Sequence, residues 1–270
     1  MPQLTWQAVA TRSPRLRPLV MAHRGTPEEQ PENTLASFRQ AVAQGADALE
    51  TDLRFTRDDQ IVLMHDDNGA RTTDSSAAIG EMTLAEFKRF RCHIAPMMSK
   101  APHAPPPPGG PVEPPATLEE LLQMTRGEVA LALELKDDRF LNRADAQKLV
   151  DLLSRYDMLE KCTLVSFNLR RMQTFRPIAA SLRIGMITIN NPLPLFPTEF
   201  LGPYYPLLYA NPLYVAWARR LNRIVCPLDV APESRLRYYR RLGLSIIMTN
   251  HPGQTIDALA RLYPPAISVS

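Results

Sequence analysis

The chain has 270 residues, 45% hydrophobic and 22% charged, which fits a globular protein with a large buried core and excludes a fibrous or disordered chain. A net charge of +3 lacks the concentrated basic face that nucleic-acid binding requires, so no nucleic-acid partner is expected. No stretch offers about 18 clean apolar residues, so no transmembrane segment is expected.

The N-terminus carries scattered arginines and prolines and no secretory signal pattern. Cys92, Cys162 and Cys226 are widely spaced and form no CxxC pair or even framework, which suits a reducing compartment and predicts a cytoplasmic location. The 26 prolines gather in two places. Ala95–Ala116 is low-complexity and reads as an extended loop. Asn191–Val215 is proline-rich but also aromatic, and reads as a shaped, partly buried irregular segment.

In chain order, Leu19–Ala22 is a short buried strand. Thr34–Gly45 has apolar residues at helical spacing, with Gly45 as the stop. Ala48–Thr56 is a second strand whose alternation puts Glu50 and Asp52 on one face and Leu49 and Leu53 on the other. Ile61–His65 returns as a further strand after a turn. Met82–Phe90 holds one helix. Thr117–Thr125 starts with a capping box, Thr117 with Glu120. Val129–Lys136 is a strong buried strand, Ala144–Tyr156 a helix, Thr163–Phe167 a strand, Leu169–Phe175 a helix and Arg183–Ile187 a strand. A sixth strand is expected near Leu207–Ala210. Ile224–Val230, Glu233–Leu242, Ser245–Thr249 and Thr255–Tyr263 read as strand, helix, strand and helix. This alternation predicts a parallel α/β sheet, and polar residues at the strand ends suit the active face of a (β/α)₈ barrel.

The strand ends carry the chemistry. Glu50, Asp52 and Glu134 are carboxylates on apolar strands, and burying them requires counter-charge. Hard oxygen donors without a cysteine cluster suit Mg²⁺ or Ca²⁺. Arg24 and Lys136 offer a guanidinium and an ammonium for a phosphate. His23 and His65 can exchange protons near neutral pH. Each alone has a structural reading: Glu50 and Asp52 as a salt-bridged strand face, Glu134 with Lys136 as an ion pair, His65-Asp66 as a hydrogen-bonded turn. Together at separate strand ends they fit a metal-assisted phosphodiester-cleaving site. Which histidine is the base stays open, as does attack by water or by the substrate's own hydroxyl.

The motifs His23–Gly25 (HRG), Pro31–Thr34 (PENT) and Ala48–Asp66, followed by Arg71–Thr73 (RTT), Pro115–Leu122 and Leu131–Lys136, make the chain resemble the glycerophosphodiester phosphodiesterase family over roughly Leu19–Ile187. The resemblance implies a single TIM-barrel domain over 1–270, with a small proline-rich insertion after the second strand region, at about 66–116. It implies that Glu50, Asp52 and Glu134 bind a divalent cation, that His23 and His65 serve as acid and base, and that Arg24 and Lys136 contact the phosphate. The implied reaction hydrolyses a glycerophosphodiester to glycerol 3-phosphate and an alcohol. Three stretches depart from the family pattern: Val225–Val230 (VCPLDV) lacks its aromatic residue, Thr249–Pro252 (TNHP) has Asn250 for a carboxylate, and the turn that often carries Asp-Gly reads Asp58-Asp59. The first two bear on glycerol recognition.

The aromatic residues between Phe196 and Trp217 read as a cap packed on the core; a lipid-facing wall is the sharper alternative and would admit a lysophospholipid or sphingolipid diester. A non-catalytic barrel binding phosphorylated ligands is a third reading. His93, His103 and His251 read as structural or exposed, and the arginines of Arg235–Gly243 as a solvated helix face, with anionic membrane contact as a minor alternative.

Overall fold

The computed structural model describes residues 4–96 and 109–264. Eight strands form one parallel sheet: β1 (Leu19–His23), β2 (Ala48–Phe55), β3 (Ala130–Leu135), β4 (Cys162–Ser166), β5 (Arg183–Thr188), β6 (Phe200–Pro203), β7 (Ile224–Val225) and β8 (Ile246–Thr249). They pair in the order β7-β6-β5-β4-β3-β2-β1-β8, each pairing parallel. No ladder joins β7 to β8 among the described residues, but the Asn250 N–H donates to the Val230 carbonyl at 2.8 Å just beyond their ends. The sheet is thus a nearly closed eight-stranded, TIM-like barrel, as the sequence predicts.

Period-two alternation decides what faces the axis. Met21, Ala48, Ala130, Ala132, Val165 and Phe200 fill the interior, and the next inward positions toward the strand ends are His23, Glu50, Asp52 and Glu134. A short helix, Trp6–Ala10, not foreseen from the sequence, closes the opposite end. Its Trp6 indole packs edge-on to Phe200 with ring centroids 5.6 Å apart and donates to the Leu131 carbonyl at 3.0 Å. Outside the barrel, helices such as Leu35–Ala43, Leu118–Thr125 and Arg143–Arg155 cover β1–β4 with Phe38, Leu121 and Leu149. The predicted capping box at Thr117 and Glu120 is present.

Four expectations are corrected. Leu207–Ala210 lies in helix Pro206–Ala210; Pro206 sits in its first turn, where a missing N–H costs nothing, and the sixth strand is Phe200–Pro203. The segment 191–215 is therefore not wholly irregular. The seventh strand stops at Val225, since Pro227 has no N–H for a ladder, although an isolated bridge pairs Leu228 with Tyr204. In Arg235–Gly243, Arg235 is bound to Asp229 through two bonds of 2.6 Å and stacks over Tyr205, so that helix face is not simply solvated.

Following β2, strand Ile61–Leu63 pairs with it antiparallel, and Cys92–His93 pairs with Val112–Glu113. This excursion has its own small core of Val62, Met64, Ile79, Met82 and Phe87. His93 is buried there. His103 and most of the low-complexity proline run lie outside the described residues.

Candidate active site

The site is assembled by register. His23 lies beside Glu50 across the β1–β2 ladder, and Asp52 beside Glu134 across β2–β3. Because all four positions point inward, one ligand oxygen each from Glu50, Asp52 and Glu134 comes within 4.8 Å of the others. All three carboxylates are buried.

The turn after β1 brings in the cation. Arg24 has φ +56° and Gly25 φ +89°, and the reversal lets the Arg24 N–H reach Glu50 Oε2 at 3.2 Å. Only glycine fits at 25: a Cβ there would stand 2.7 Å from the Cβ of Ser37. The Arg24 side chain pairs with Asp52 at 3.0 Å and Glu32 at 3.0 Å. Asn33, also left-handed at φ +58°, donates to Asp52 Oδ2 at 2.9 Å. Lys136 pairs with Glu134 at 2.7 Å and Asp52 at 3.4 Å. All seven residues expected at the site are therefore brought to one end of the barrel, with Arg24 and Lys136 already engaged by carboxylates.

The two histidines have different partners. His23 Nδ1 meets the Asn250 amide oxygen at 2.9 Å, and its Nε2 lies 3.9 Å from Glu50. His65 Nδ1 donates to Asp66 Oδ1 at 2.7 Å. Asp66 is held by Arg71 Nε at 2.6 Å, and the Arg71 fork grips both oxygens of Glu32 at 2.7 Å. Glu32 closes the chain back to Arg24. The sequence reading missed Glu32, Asn33 and Arg71 as functional residues. The signal was present, since Glu32-Asn33 lie in PENT and Arg71 opens RTT. Asn250 was read only as a departure, and it is the partner of His23.

Electrostatics follow from burial and these pairings. Burial, then the charge of Arg24, push the His23 imidazole down to about 3, although Asn250 and Asp52 act in the opposite sense. Burial, then neighbouring Asp52, raise Glu50 well above the usual carboxylate range. Burial likewise raises Glu134, with Lys136 opposing. For Asp52, burial is the largest influence and would raise it, but Arg24, Lys136 and His65 together outweigh burial and hold it ionised. Five carboxylates (Glu32, Glu50, Asp52, Asp66, Glu134) stand against three cations (Arg24, Arg71, Lys136). Carboxylates thus outnumber fixed cations, and the raised proton affinity of Glu50 and Glu134 reflects burial together with that imbalance, which a divalent cation would relieve. Asp52 Oδ1 is buried and makes no hydrogen bond, with the Lys136 ammonium 3.4 Å away. The donors are all hard oxygens, so the residues fit such an ion.

A small pocket of about 30 Å³ lies against these groups and runs into the barrel interior, lined by His23, Glu50 and Glu134 together with Met21, Gly202, Cys226 and Leu228. Apart from His23, Glu50 and Glu134, that lining is apolar.

Comparison with known proteins bears on the fold and the family. The Glycerophosphoryl diester phosphodiesterase family profile matches residues 23–254. A glycerophosphodiester phosphodiesterase of Caldanaerobacter subterraneus is 30% identical over 173 residues, covering 64% of this chain and 67% of that one. The crystal structure of a glycerophosphodiester phosphodiesterase from Agrobacterium tumefaciens superposes with a TM-score of 0.73 at 20% identity, over 89% of this chain and 99% of the other. A phosphodiesterase from Oleispira antarctica, solved with sn-glycerol-3-phosphate as product, gives a TM-score of 0.74 at 22% identity over 90% and 96% of the two chains. None of the described helices is long and apolar enough to cross a membrane. With its family match spanning most of the barrel and all seven charged and titratable positions described above, the chain belongs to the glycerophosphoryl diester phosphodiesterase family of phosphoric diester hydrolases.

Proposed function

We propose that the protein hydrolyses glycerophosphodiesters to glycerol 3-phosphate and an alcohol, in a reaction that depends on a divalent cation. The observation that carries this reading is the convergence of Glu50, Asp52 and Glu134 at one strand-end layer with His23, His65, Arg24 and Lys136 around them. Glu50, Asp52 and Glu134 would hold Mg²⁺ or Ca²⁺. Such an ion supplies charge that offsets the phosphoryl oxygens. Arg24 and Lys136 add fixed positive charge on the same side. A phosphate arriving there competes for cations that now face carboxylates.

The two histidines divide the proton transfers according to their partners. His65, oriented by its Nδ1 hydrogen bond to the Asp66 carboxylate, gives a proton to the departing alcohol. His23 is backed by an amide and flanked by Arg24, and it takes the proton from the attacking hydroxyl. Glu32, through Arg24 and Arg71, fixes the spacing between the two halves.

The test uses leaving groups of different basicity. A His65→Ala variant loses turnover on glycerophosphocholine but retains most of it on a p-nitrophenyl diester, whose leaving group needs no proton. His23→Ala loses both. Equal losses on both substrates in His65→Ala would refute the assignment of the acid.

A second reading has support of its own. Phe167, Ile189 and Tyr204, exposed residues directly after β4, β5 and β6, put apolar surface at the barrel mouth. This favours an acylated diester of the lysophospholipid or sphingolipid type. Relative turnover of glycerophosphocholine and lysophosphatidylcholine by one preparation separates the readings.

A further inference from the structure

Eight of the thirteen exposed large apolar side chains among the described residues lie between Ile189 and Leu221. Helix Tyr214–Arg220 explains why. Its inner face, Tyr214, Val215 and Ala218, is buried in a core shared with Val225 of β7. Its outer line, Leu213, Trp217 and Leu221, is 71%, 39% and 41% exposed. Four-residue spacing puts these three on one stripe. A helix apolar on both faces is normally covered on both.

The β5–β6 connection lies alongside. Asn211 donates to the Pro192 carbonyl at 2.9 Å, and Arg223 donates to the Pro194 carbonyl. Leu193 and Leu195, both exposed, thereby extend the stripe into a flank that reaches Ile189 at the barrel mouth.

Charge selects the occupant. Arg219 and Arg223 bond to backbone carbonyls, and none of Arg219, Arg220 and Arg223 meets a carboxylate among the described residues. The one acidic residue between Ile187 and Leu228 is Glu199, and it is bound to Arg176 at 2.6 Å. A second copy of this face would set arginine against arginine. A surface of anionic phosphates over hydrocarbon matches both the arginines and the stripe.

We propose that the flank formed by helix Tyr214–Arg220 and the β5–β6 connection docks on an anionic lipid bilayer. Leu213, Trp217 and Leu221 enter the headgroup boundary, where an amphipathic indole is favoured, and the exposed Arg220 reaches lipid phosphates, with Arg219 and Arg223 adding positive charge behind it. Docking this way brings the Ile189 and Tyr204 side of the barrel mouth close to the bilayer.

The test is co-sedimentation with vesicles of phosphatidylcholine alone and of phosphatidylcholine mixed with phosphatidylglycerol. The wild-type protein binds the mixed vesicles at low salt and releases as salt rises. Leu213→Ser and Leu221→Ser each weaken binding about tenfold, and Arg220→Gln weakens it about fivefold. Turnover of glycerophosphocholine stays at the wild-type level in all three, so failure here is distinct from failure of the proposed hydrolysis. Circular dichroism melting checks the fold, and Arg220→Gln, at an exposed position, carries the test alone if a leucine variant fails to fold. The proposal is overturned if the wild type ignores mixed vesicles, if the variants bind as well as it does, or if light scattering shows a dimer that Leu213→Ser splits.

Discussion

Replacing Arg71 by leucine tests the part of the site that joins its two halves. Arg71 is buried and makes three charge-assisted bonds, one to Asp66 at 2.6 Å and two to Glu32 at 2.7 Å. Leucine fills part of the volume and supplies none of them. Glu32 then keeps a single bond, from Arg24 at 3.0 Å, in a place where water cannot replace the others. Removing one partner of a buried pair costs about 3–5 kcal/mol. That is a large share of a total of about 5–15 kcal/mol, so the variant should fold but unfold at a clearly lower urea midpoint. Catalysis should fall too, because Asp66 loses the group that holds it behind His65 and Arg24 gains slack through Glu32. A loss of about 10–100-fold in kcat/KM is the scale for removing such a supporting contact. Arg71→Lys restores a charge but not the planar fork, so it recovers stability in part and activity less. Urea denaturation and kcat/KM on glycerophosphocholine provide the two readouts. If Arg71→Leu matches the wild type in both, the chain from Glu32 to His65 does not position the site.

Asn250→Asp puts a carboxylate behind His23, and its charge raises the imidazole's proton affinity. The acidic limb of the kcat/KM pH profile should move up by about one unit or more; an unmoved limb would count against His23 as the base. Gly25→Ala must place a methyl 2.6 Å from the backbone carbonyl carbon of Ser37 at φ +89°. It should cost about 2–4 kcal/mol, seen as a lowered melting temperature. Away from the site, the hydrogen bond from Arg139, with Lys148 adding to it, holds Asp145 down to about 2. Its folded value lies below its unfolded one, so its contribution is present above the unfolded value and is lost as pH falls through about 2. The urea-midpoint difference between wild type and Asp145→Asn should accordingly be full at pH 5 and shrink on acidification; a constant difference would contradict the pairing.

How much of this could be read from sequence differs along the chain. The inward face of β2 was legible because Glu50 and Asp52 interrupt an apolar run at period two, which puts both carboxylates on one face of the strand. Glu134 on β3, and Lys136 just after it, were legible in the same way. The Glu32–Arg71–Asp66 chain was not, because its members come from two loops whose meeting depends on the turn at Arg24-Gly25 and on the excursion after β2. Asn250 looked like a lost carboxylate, and only its 2.9 Å contact shows it holding His23. The sixth strand was misplaced because Leu207–Ala210 is as apolar as a strand. Pro206 starts a helix there, while Phe200–Pro203, with Gly202 and Pro203 in it, has weak strand propensity and is held by its pairing with β5. The exposed stripe of helix Tyr214–Arg220 was hidden for a related reason: aromatic and leucine residues read as core until their burial is known.

In the proposed reaction Glu50, Asp52 and Glu134 hold a cation without which the histidines do not cleave the diester. The most direct test is glycerol 3-phosphate release from glycerophosphocholine, measured after EDTA treatment and again with Mg²⁺ or Ca²⁺ added back, with Asp52→Asn alongside. Release should cease after EDTA, return with one of the two ions, and stay absent in Asp52→Asn. Undiminished release in EDTA by an enzyme shown to be free of metal would contradict that dependence.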